Sequence, residues 1–590
     1  MPKKVRRVIK IVSGYLGKIL RVNLSNLESG IEELREEKMR FFLGGINLGI
    51  KILYDEVPPG VDAFDPENRL IFVTAPMVGT LVPAANQYAI ITKSPLTGFF
   101  GLGRAYGFFG PELKFAGFDA VVVYGRAEKL VYLWIHDGQA EVRDASSLSG
   151  KDTYEVEELI CRELDDEKIR VACIGQAGEN LSKMACVIND RGHAAARCGV
   201  GAVMGSKRLK AIAVRGTGKV RIEDKAKILE LRKEWYKISS ENKNAITMSR
   251  YGTAGDYEKT EMRHAVGDLP TKNWTTALFP QWRNLSGECM RGKYPTKKNT
   301  CFNCHMGHDY FIRIPSGKYA GSYVYPEYED TAAFGSNIGC SDTEIIIKLT
   351  DLANRCGVDS IEASHVISLA MECYEKGLLT KEDLEGIELT WGNGEATIQL
   401  LDKIVKREGI GNALAEGVKR AADQIGAPEF AICIKGMSPI LHDLRHHWGW
   451  LISYTVAPGG PIHAGIGAGG VYTVDPDLDF PRLKAFSPQG MGYAAKQAHI
   501  KWLGLDVLGI CVHAAIGVPL KLMIELLSAV TGWDITLKEF YTTIYRGVNL
   551  ARAFNVRHGL TPADDWPSQR ILEPPPDGPA EGVTAKKTLK

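Results

Sequence analysis

The segment "CFNCHMGHDYF", residues 301–311, places Cys301, Cys304, His305 and His308 within one short stretch. A C-x-x-C spacing lets both thiolates reach one metal centre, and the histidines add borderline nitrogen ligands directly after it. By themselves the letters admit half of a zinc site and also C-x-x-C-H, the attachment pattern of haem c. The chain's 12 cysteines show no disulfide rhythm, and a reducing compartment would keep them as thiols. Haem c is usually attached after export, so the cytoplasmic expectation below argues against it.

Two further patterns carry chemistry. The run "DRGHAAARCGVGAVMGSKRLKAIAVRG", Asp190 to Gly216, combines glycines, small residues and basic residues, as a backbone-lined seat for an anionic ligand would. "NRCGVD" (Asn354 to Asp359) and "DVLGIC" (Asp506 to Cys511) echo one another: a polar residue, two more, a glycine, an aliphatic residue, then a side chain able to bind a ligand. Each follows a helical pattern, and Gly357 and Gly509 are suited to end a helix. The segment "LHDLRHHWGWLISY" adds His442, His446, His447, Trp448 and Trp450, either a polar aromatic pocket wall or a packed helix with buried histidines.

The elements that must hold these residues differ along the chain. Up to residue 216 short β-branched runs such as "RLIFVTAP" and "AVVVYGRA" are broken by Gly and Pro, which predicts an antiparallel, sheet-rich domain. Helical periodicity follows, with basic residues and glycine at several stops. The fold class is therefore α+β: a sheet-rich domain (1–216) and two mainly helical domains (217–430 and 431–590). The tail "EPPPDGPAEGVTAKKTLK" reads as disordered.

The length of 590 residues exceeds what one core serves. A formal charge of +2 gives no global electrostatic case for nucleic acid or an anionic membrane. The N-terminus lacks a signal-length apolar run, which points to the cytoplasm. The most apolar window, "LGICVHAAIGVPLKLMIELL", contains Pro519 and Lys521 and reads as buried helix, not as a membrane span.

Together with "GYLGKILRVNLS", "SPLTGFFGLGRAYGFFGPELKFAGFDA", "YPEYED" and "LGLDVLGIC", the 190–216 run resembles the aldehyde:ferredoxin oxidoreductase family over nearly the whole chain. The resemblance implies a sheet-rich base for a tungsten (or molybdenum) bis-molybdopterin cofactor, with a [4Fe–4S] cluster beside it. Implied pterin contacts fall on Gln87, Arg104, Gly107, Arg197, Gly199, Gly201, Asn354, Gly357, Asp359, Asp506 and Gly509. The implied cluster ligands are Cys301, Cys304, position 308 and Cys511; position 308 is His308 where the family has Cys. Zinc, or a cluster with another fourth ligand, stays open. The implied proton-handling pair is Glu329 and His463.

Departures from the family pattern limit the expectation. A family arginine is Gln87, while Arg104 stands where the family often has Asn. A metal-bridging Glu-x-x-His pair is Lys348 and Asp351, so the metal-linked dimer is not expected, and homodimer and hetero-complex both stay open. The resemblance implies oxidation of a small-molecule aldehyde, with electrons passed to ferredoxin or an iron–sulfur subunit. A benzoyl-CoA-reductase-type reductase and a cofactor-poor structural subunit are the alternatives.

Overall fold

The computed structural model describes residues 12–257, 267–462, 477, 484 and 486–589. Strands β1 (Lys18–Asn23), β2 (Glu28–Glu33), β3 (Leu70–Val73), β4 (Tyr88–Lys93), β5 (Phe100–Ala105) and β6 (Ala120–Tyr124) form one sheet, in the order β2-β1-β6-β3-β4-β5. A second sheet contains β7 (Val131–His136), β8 (Gln139–Asp144), β9 (Arg170–Cys173), β10 (Val187–Asn189), β11 (His193–Ala195) and β12 (Leu209–Arg215), in the order β11-β10-β9-β12-β7-β8. The runs "LIFV" and "AVVV" do not alternate, because β3 and β6 are buried on both faces.

Pairing is mixed, not antiparallel throughout: β1 lies parallel to β6, and β7 parallel to β12. Nearly a hundred residues separate β1 from β6, including the helix Gly45–Glu56, and a segment of that length can make the crossover that parallel strands require. A buried ion pair pins the first parallel contact. Lys114 Nζ lies 2.5 Å from Asp119 and donates to the Gly14 carbonyl at 2.8 Å, while Asp119 accepts from the amides of Leu16 and Gly17 at 2.9 and 2.7 Å. The segment entering β1 is thereby tied to the one entering β6.

Long helices follow, among them Thr343–Cys356, Ser360–Glu375, Met491–Leu508, Leu520–Thr531 and Leu537–Arg557. The described residues of 431–590 contribute to two cores. Leu503, Leu527, Phe540 and Phe554 join the core of the two sheets, whereas Leu441, Leu451 and Ile571 join the core around helices Thr343–Cys356 and Ser360–Glu375. The apolar window at 508–527, expected as one helix, is a helix end, a turn carrying Cys511 and the start of another helix. Gly509 in the left-handed region and Pro519 ahead of the next helix impose the break.

The tail is also ordered in part, against its composition. Asp577 accepts from the amide of Ala277 at 2.8 Å, its carbonyl meets His446 Nε2 at 3.2 Å, and Ala580 and Ala585 are buried. Few but specific contacts hold it, which composition does not register.

Removing one partner of the buried Lys114–Asp119 pair should be costly. Asp119→Asn should destabilise the protein by about 3 kcal/mol or more, because the ammonium stays buried without its counter-charge; a clear fall in Tm checks this, and an unchanged Tm would contradict the pinning role.

Candidate active site

A cavity opens where the sheets meet the helical core. Two helix ends border it, and they are the two echo motifs. Helix Thr343–Cys356 stops at Gly357 (φ 66°) and helix Met491–Leu508 at Gly509 (φ 77°), both left-handed. Each glycine also docks on the N-terminal domain: Cys186 N donates to the Gly357 carbonyl at 2.9 Å, and Gln87 N to the Gly509 carbonyl at 3.2 Å. A Cβ at Gly509 would lie 2.4 Å from Val78, so no other residue fits without movement.

Beside each glycine sits a buried carboxylate with a cationic neighbour. Asp359 caps helix Ser360–Glu375 through Ile361 N at 3.0 Å, and its other oxygen lies 3.0 Å from Arg197 Nε. Arg197 is buried, has φ 75°, which is rare outside glycine, and also reaches Glu362 and the Ser438 carbonyl at 3.2 and 2.7 Å. At the second end Asp506 accepts from both Gln87 Nε2 and Arg104 at 2.7 Å. Arg104 thus brings a positive charge to this carboxylate.

The cysteine loop closes another part of the wall. Cys301, His308 and Cys511 line the cavity, and Cys304 packs with Cys511 around Ala84. Ala84 bridges the two loops: its amide donates to Asn303 O at 2.9 Å, and its carbonyl accepts from Cys511 N at 3.0 Å. Burial pushes the Cys301 thiol well above its ordinary value and Cys511 to about 12, so without metal both are protonated; metal binding would displace those protons. Burial also lowers His308, leaving a neutral imidazole with a lone pair to give. His305 points elsewhere, its ring 4.9 Å from Tyr236.

Sequence reasoning missed three groups here. His193 and Asp309 each approach Cys301 Sγ, at 3.5 and 3.6 Å, and lie 3.5 Å apart. The ring of His513 is 5.0 Å from that of His308. Asp309 follows His308 directly, and His193 lies in the glycine-rich run, so adjacency to the motifs was the available signal.

Glu329 also faces the cavity from the helix Tyr328–Ala333; one of its oxygens accepts from Leu441 N at 2.9 Å, and the other lies 3.6 Å from His442 Nε2. Asn354 lines the same space. His463 lies outside the described residues. Gly107, Gly199 and Gly201 are not among the lining residues; added Cβ atoms there would meet Asp190, the Lys183 carbonyl and the Cys186 carbonyl at 2.3, 2.4 and 2.4 Å. They permit close packing behind the wall. Lys348 and Asp351 pair with each other at 3.9 Å.

Buried polar atoms normally have partners. Around these helix ends Arg197 Nη1, Gln87 Oε1 and Asp506 Oδ2 have no hydrogen-bond partner among the described residues. Donors and acceptors left open in this way fit a large polar ligand such as a pterin, and the thiol and imidazole set beside them fits an iron–sulfur cluster.

Comparisons with known proteins bear on this geometry. The family description "Aldehyde ferredoxin oxidoreductase, N-terminal domain" matches residues 19–216, and "Aldehyde ferredoxin oxidoreductase, domains 2 & 3" matches residues 230–590. A tungsten-containing aldehyde ferredoxin oxidoreductase of Pyrococcus furiosus is 38% identical, covering 97% of this chain and 94% of that protein. The WOR-like subunit of an aliphatic sulfonate oxidoreductase from the same organism is 31% identical, covering 96% of this chain and 91% of the other. Among solved structures, the active site complex BamBC of benzoyl coenzyme A reductase, in complex with 1,5 dienoyl-CoA, superposes with a TM-score of 0.81 at 27% identity, over 95% of this chain and 92% of that one.

One cavity carboxyl should leave a mark on stability. Burial, then the negative Asp330 and Asp309, push Glu327 up to about 8, whereas an unfolded glutamate titrates near 4.3. Between those values the folded protein holds the proton and the unfolded chain does not, so this group's contribution is full below about pH 4.3 and is lost as pH rises through about 8. In protein prepared without metal, Glu327→Gln should therefore raise Tm relative to wild type increasingly from about pH 5 to about pH 8. Parallel Tm curves for the two proteins would contradict the assignment.

Proposed function

The chain belongs to the aldehyde ferredoxin oxidoreductase family, and on that premise we propose that it is a tungsten bis-pterin enzyme oxidising an aldehyde to a carboxylic acid, with electrons leaving through a [4Fe–4S] cluster to ferredoxin or a ferredoxin-like subunit. The observation that carries this reading is the position of Glu329 on the same cavity as Arg197, Asp359, Cys301 and Cys511. Asn354, Asp359 and Arg197 would hold one pterin; Gln87, Arg104 and Asp506 would hold the other. Cys301, Cys304, Cys511 and His308 would hold the cluster. When bound, these groups supply a two-electron acceptor and a one-electron exit.

The balance of the reaction, R–CHO + H2O → R–COOH + 2 H⁺ + 2 e⁻, assigns the remaining work to the protein. A carboxylate near the reacting carbonyl takes a proton from the attacking water. Glu329 fits this role because Leu441 N anchors one oxygen at 2.9 Å and leaves the carboxyl fixed in orientation. His463 is proposed as its partner.

The benzoyl-CoA-reductase-type alternative has a fold likeness behind it. The aldehyde reading is favoured by relatives of higher identity over the same span, together with the retained Glu329. A structural subunit without cofactor would have no use for buried polar atoms left open around these helix ends. All 12 cysteines are free, as a cytoplasmic setting would keep them, and no described helix is long and apolar enough to cross a membrane.

Glu329→Gln should lower aldehyde-dependent dye reduction by roughly 100-fold or more while tungsten and iron contents stay at wild-type levels. Full activity in the variant would remove Glu329 from the mechanism, and protein holding zinc without pterin would end the proposal itself.

The cluster ligand at position 308 has its own test. A neutral imidazole leaves the cluster less negative than a fourth thiolate, which raises its potential. His308→Cys should accordingly lower the midpoint potential and change the electron paramagnetic resonance signal, whereas His305→Ala should leave both unchanged. An unaltered signal in His308→Cys would move the fourth ligand elsewhere; His193 and Asp309, at 3.5 and 3.6 Å from Cys301 Sγ, stand nearest to that cysteine among the alternatives.

A further inference from the structure

Electrons leaving the proposed cluster need a way to the surface, and one short helix covers the cysteine loop on its outer side. Helix Lys243–Tyr251 turns Ala245 and Met248 inward, where they pack with Met306 and Cys304. Ser249 Oγ on the same helix donates to the Met306 carbonyl at 2.7 Å, and the Tyr310 hydroxyl donates to the Ser249 carbonyl at 2.6 Å. The helix is thus clamped onto the loop that carries Cys304 and His308. Its opposite face is open. Lys243 and Arg250, about two turns apart, are exposed and flank Ile246, which is 50% exposed.

A second basic element adjoins the same loop. Lys298 is exposed on strand Thr296–Asn299, the edge of a small three-stranded sheet. Its side chain runs over Gly307: a Cβ there would meet Lys298 Cε at 2.9 Å and Nζ at 3.6 Å. The Gly307 amide in turn donates to Cys304 Sγ at 3.4 Å. Two tyrosine rings join the strand to the helix. Lys298 Nζ and Arg291 Cζ lie 5.5 and 3.6 Å from the Tyr310 ring centre, and the Cζ atoms of Arg291 and Arg250 lie 5.7 and 4.9 Å from that of Tyr251. Such contacts hold cations in place without neutralising them.

Positive charge therefore accumulates here. Residues 243–251 and 291–299 contain six Lys and Arg and no Asp or Glu, in a chain whose formal charge is only +2. Among the described residues, no carboxylate stands within ion-pair distance of Lys243, Arg250, Arg291 or Lys298. Lysines on an edge strand also discourage pairing with other strands, but that purpose does not extend to Ile246 and Arg250 on a helix. An apolar centre rimmed by cations suits a partner whose own contact face is acidic.

We infer that this face, centred on Ile246, docks an acidic iron–sulfur protein that takes electrons from the cluster on the Cys304 side of the loop. The inference rests on the aldehyde-oxidising reading above, in which electrons leave through that cluster. With a one-electron acceptor A the reaction balances as R–CHO + H2O + 2 A(ox) → R–COOH + 2 H⁺ + 2 A(red), so two deliveries complete each turnover. Complementary charge speeds the encounter and is screened by salt, whereas the contact made by Ile246 is apolar and does not depend on it.

Binding and turnover of an acidic [4Fe–4S] ferredoxin, added to the metal-loaded enzyme, test the surface. Wild type should bind it with a Kd that rises steeply with salt. The triple variant Lys243→Glu/Arg250→Glu/Lys298→Glu should raise that Kd by about 10-fold or more and slow ferredoxin reduction, while aldehyde-dependent reduction of a small dye, which needs no docking, stays at the wild-type rate. Ile246→Ala should raise Kd several-fold at low and high salt alike. Lys129→Glu, exposed ahead of β7 and so toward the sheet edge opposite β11, should bind as wild type does. Unchanged Kd in the triple variant, an equal loss in Lys129→Glu, or wild type that binds phosphatidylglycerol vesicles but not the ferredoxin would each overturn the proposal. Should the triple variant fail to fold, Arg250→Glu and Ile246→Ala singly decide by the same Kd. If wild type oxidises no aldehyde even with the dye, the functional reading fails, and the binding measurements then judge the surface separately.

Discussion

A buried guanidinium holds the two halves of the molecule together at the cavity. Arg197 belongs to the loop that follows β11, yet its side chain is claimed by Asp359, Glu362 and Ser438, all from the helical core. Taking such a cation out of water is expensive unless charges and carbonyls surround it. Burial alone would make Arg197 easier to deprotonate, but Asp359 and Glu362 outweigh that, and it stays charged. The arrangement also fixes backbone: Arg197 and Cys198 are both left-handed, with φ of 75° and 58°, a cost borne where neighbouring structure over-determines the conformation.

The second helix end repeats this solution with different residues. Where Asp359 has one cation beside it, Asp506 has a cation and an amide, Arg104 and Gln87. An amide supplies a directed donor without charge, so Gln87 adds a hydrogen bond to Asp506 while Arg104, on β5, brings the positive charge. The two ends share a left-handed glycine and a carboxylate with a polar escort. They differ in which strand or loop sends the escort: Arg197 comes from the loop after β11, Arg104 from β5 and Gln87 from just ahead of β4.

What could be read from the sequence was mostly local. Gly357 and Gly509 were legible because a helix ending in a left-handed residue constrains the residue type at that position, and the C-x-x-C spacing was legible because it encodes reach. Pairings across hundreds of residues were not. Cys301 and His193 are 108 positions apart, and His442 and Asp268 are 174 apart; only the fold brings them together. The parallel pairing of β1 with β6 escaped for the same reason, since strand runs reveal that strands exist but not what lies beside them. Among the three histidines of 442–447, the structure separates His442 and His447, which share Asp268, from His446, which binds the carbonyl of Asp577 in the tail.

The proposed electron exit would pass acidic groups. An electron added to a cluster held by Cys301 and Cys511 would place negative charge where Asp309 and Glu327 already stand. In such a region charge is tolerated when a proton or a cation accompanies it. Glu327 is held largely protonated below about 8 by burial and its acidic neighbours, so it would add little negative charge beside a cluster held there. Glu329, by contrast, accepts from Leu441 N, which fixes the orientation of its carboxyl. Two glutamates two positions apart thus meet different surroundings, one buried among acidic groups and the other held by a backbone amide at the cavity.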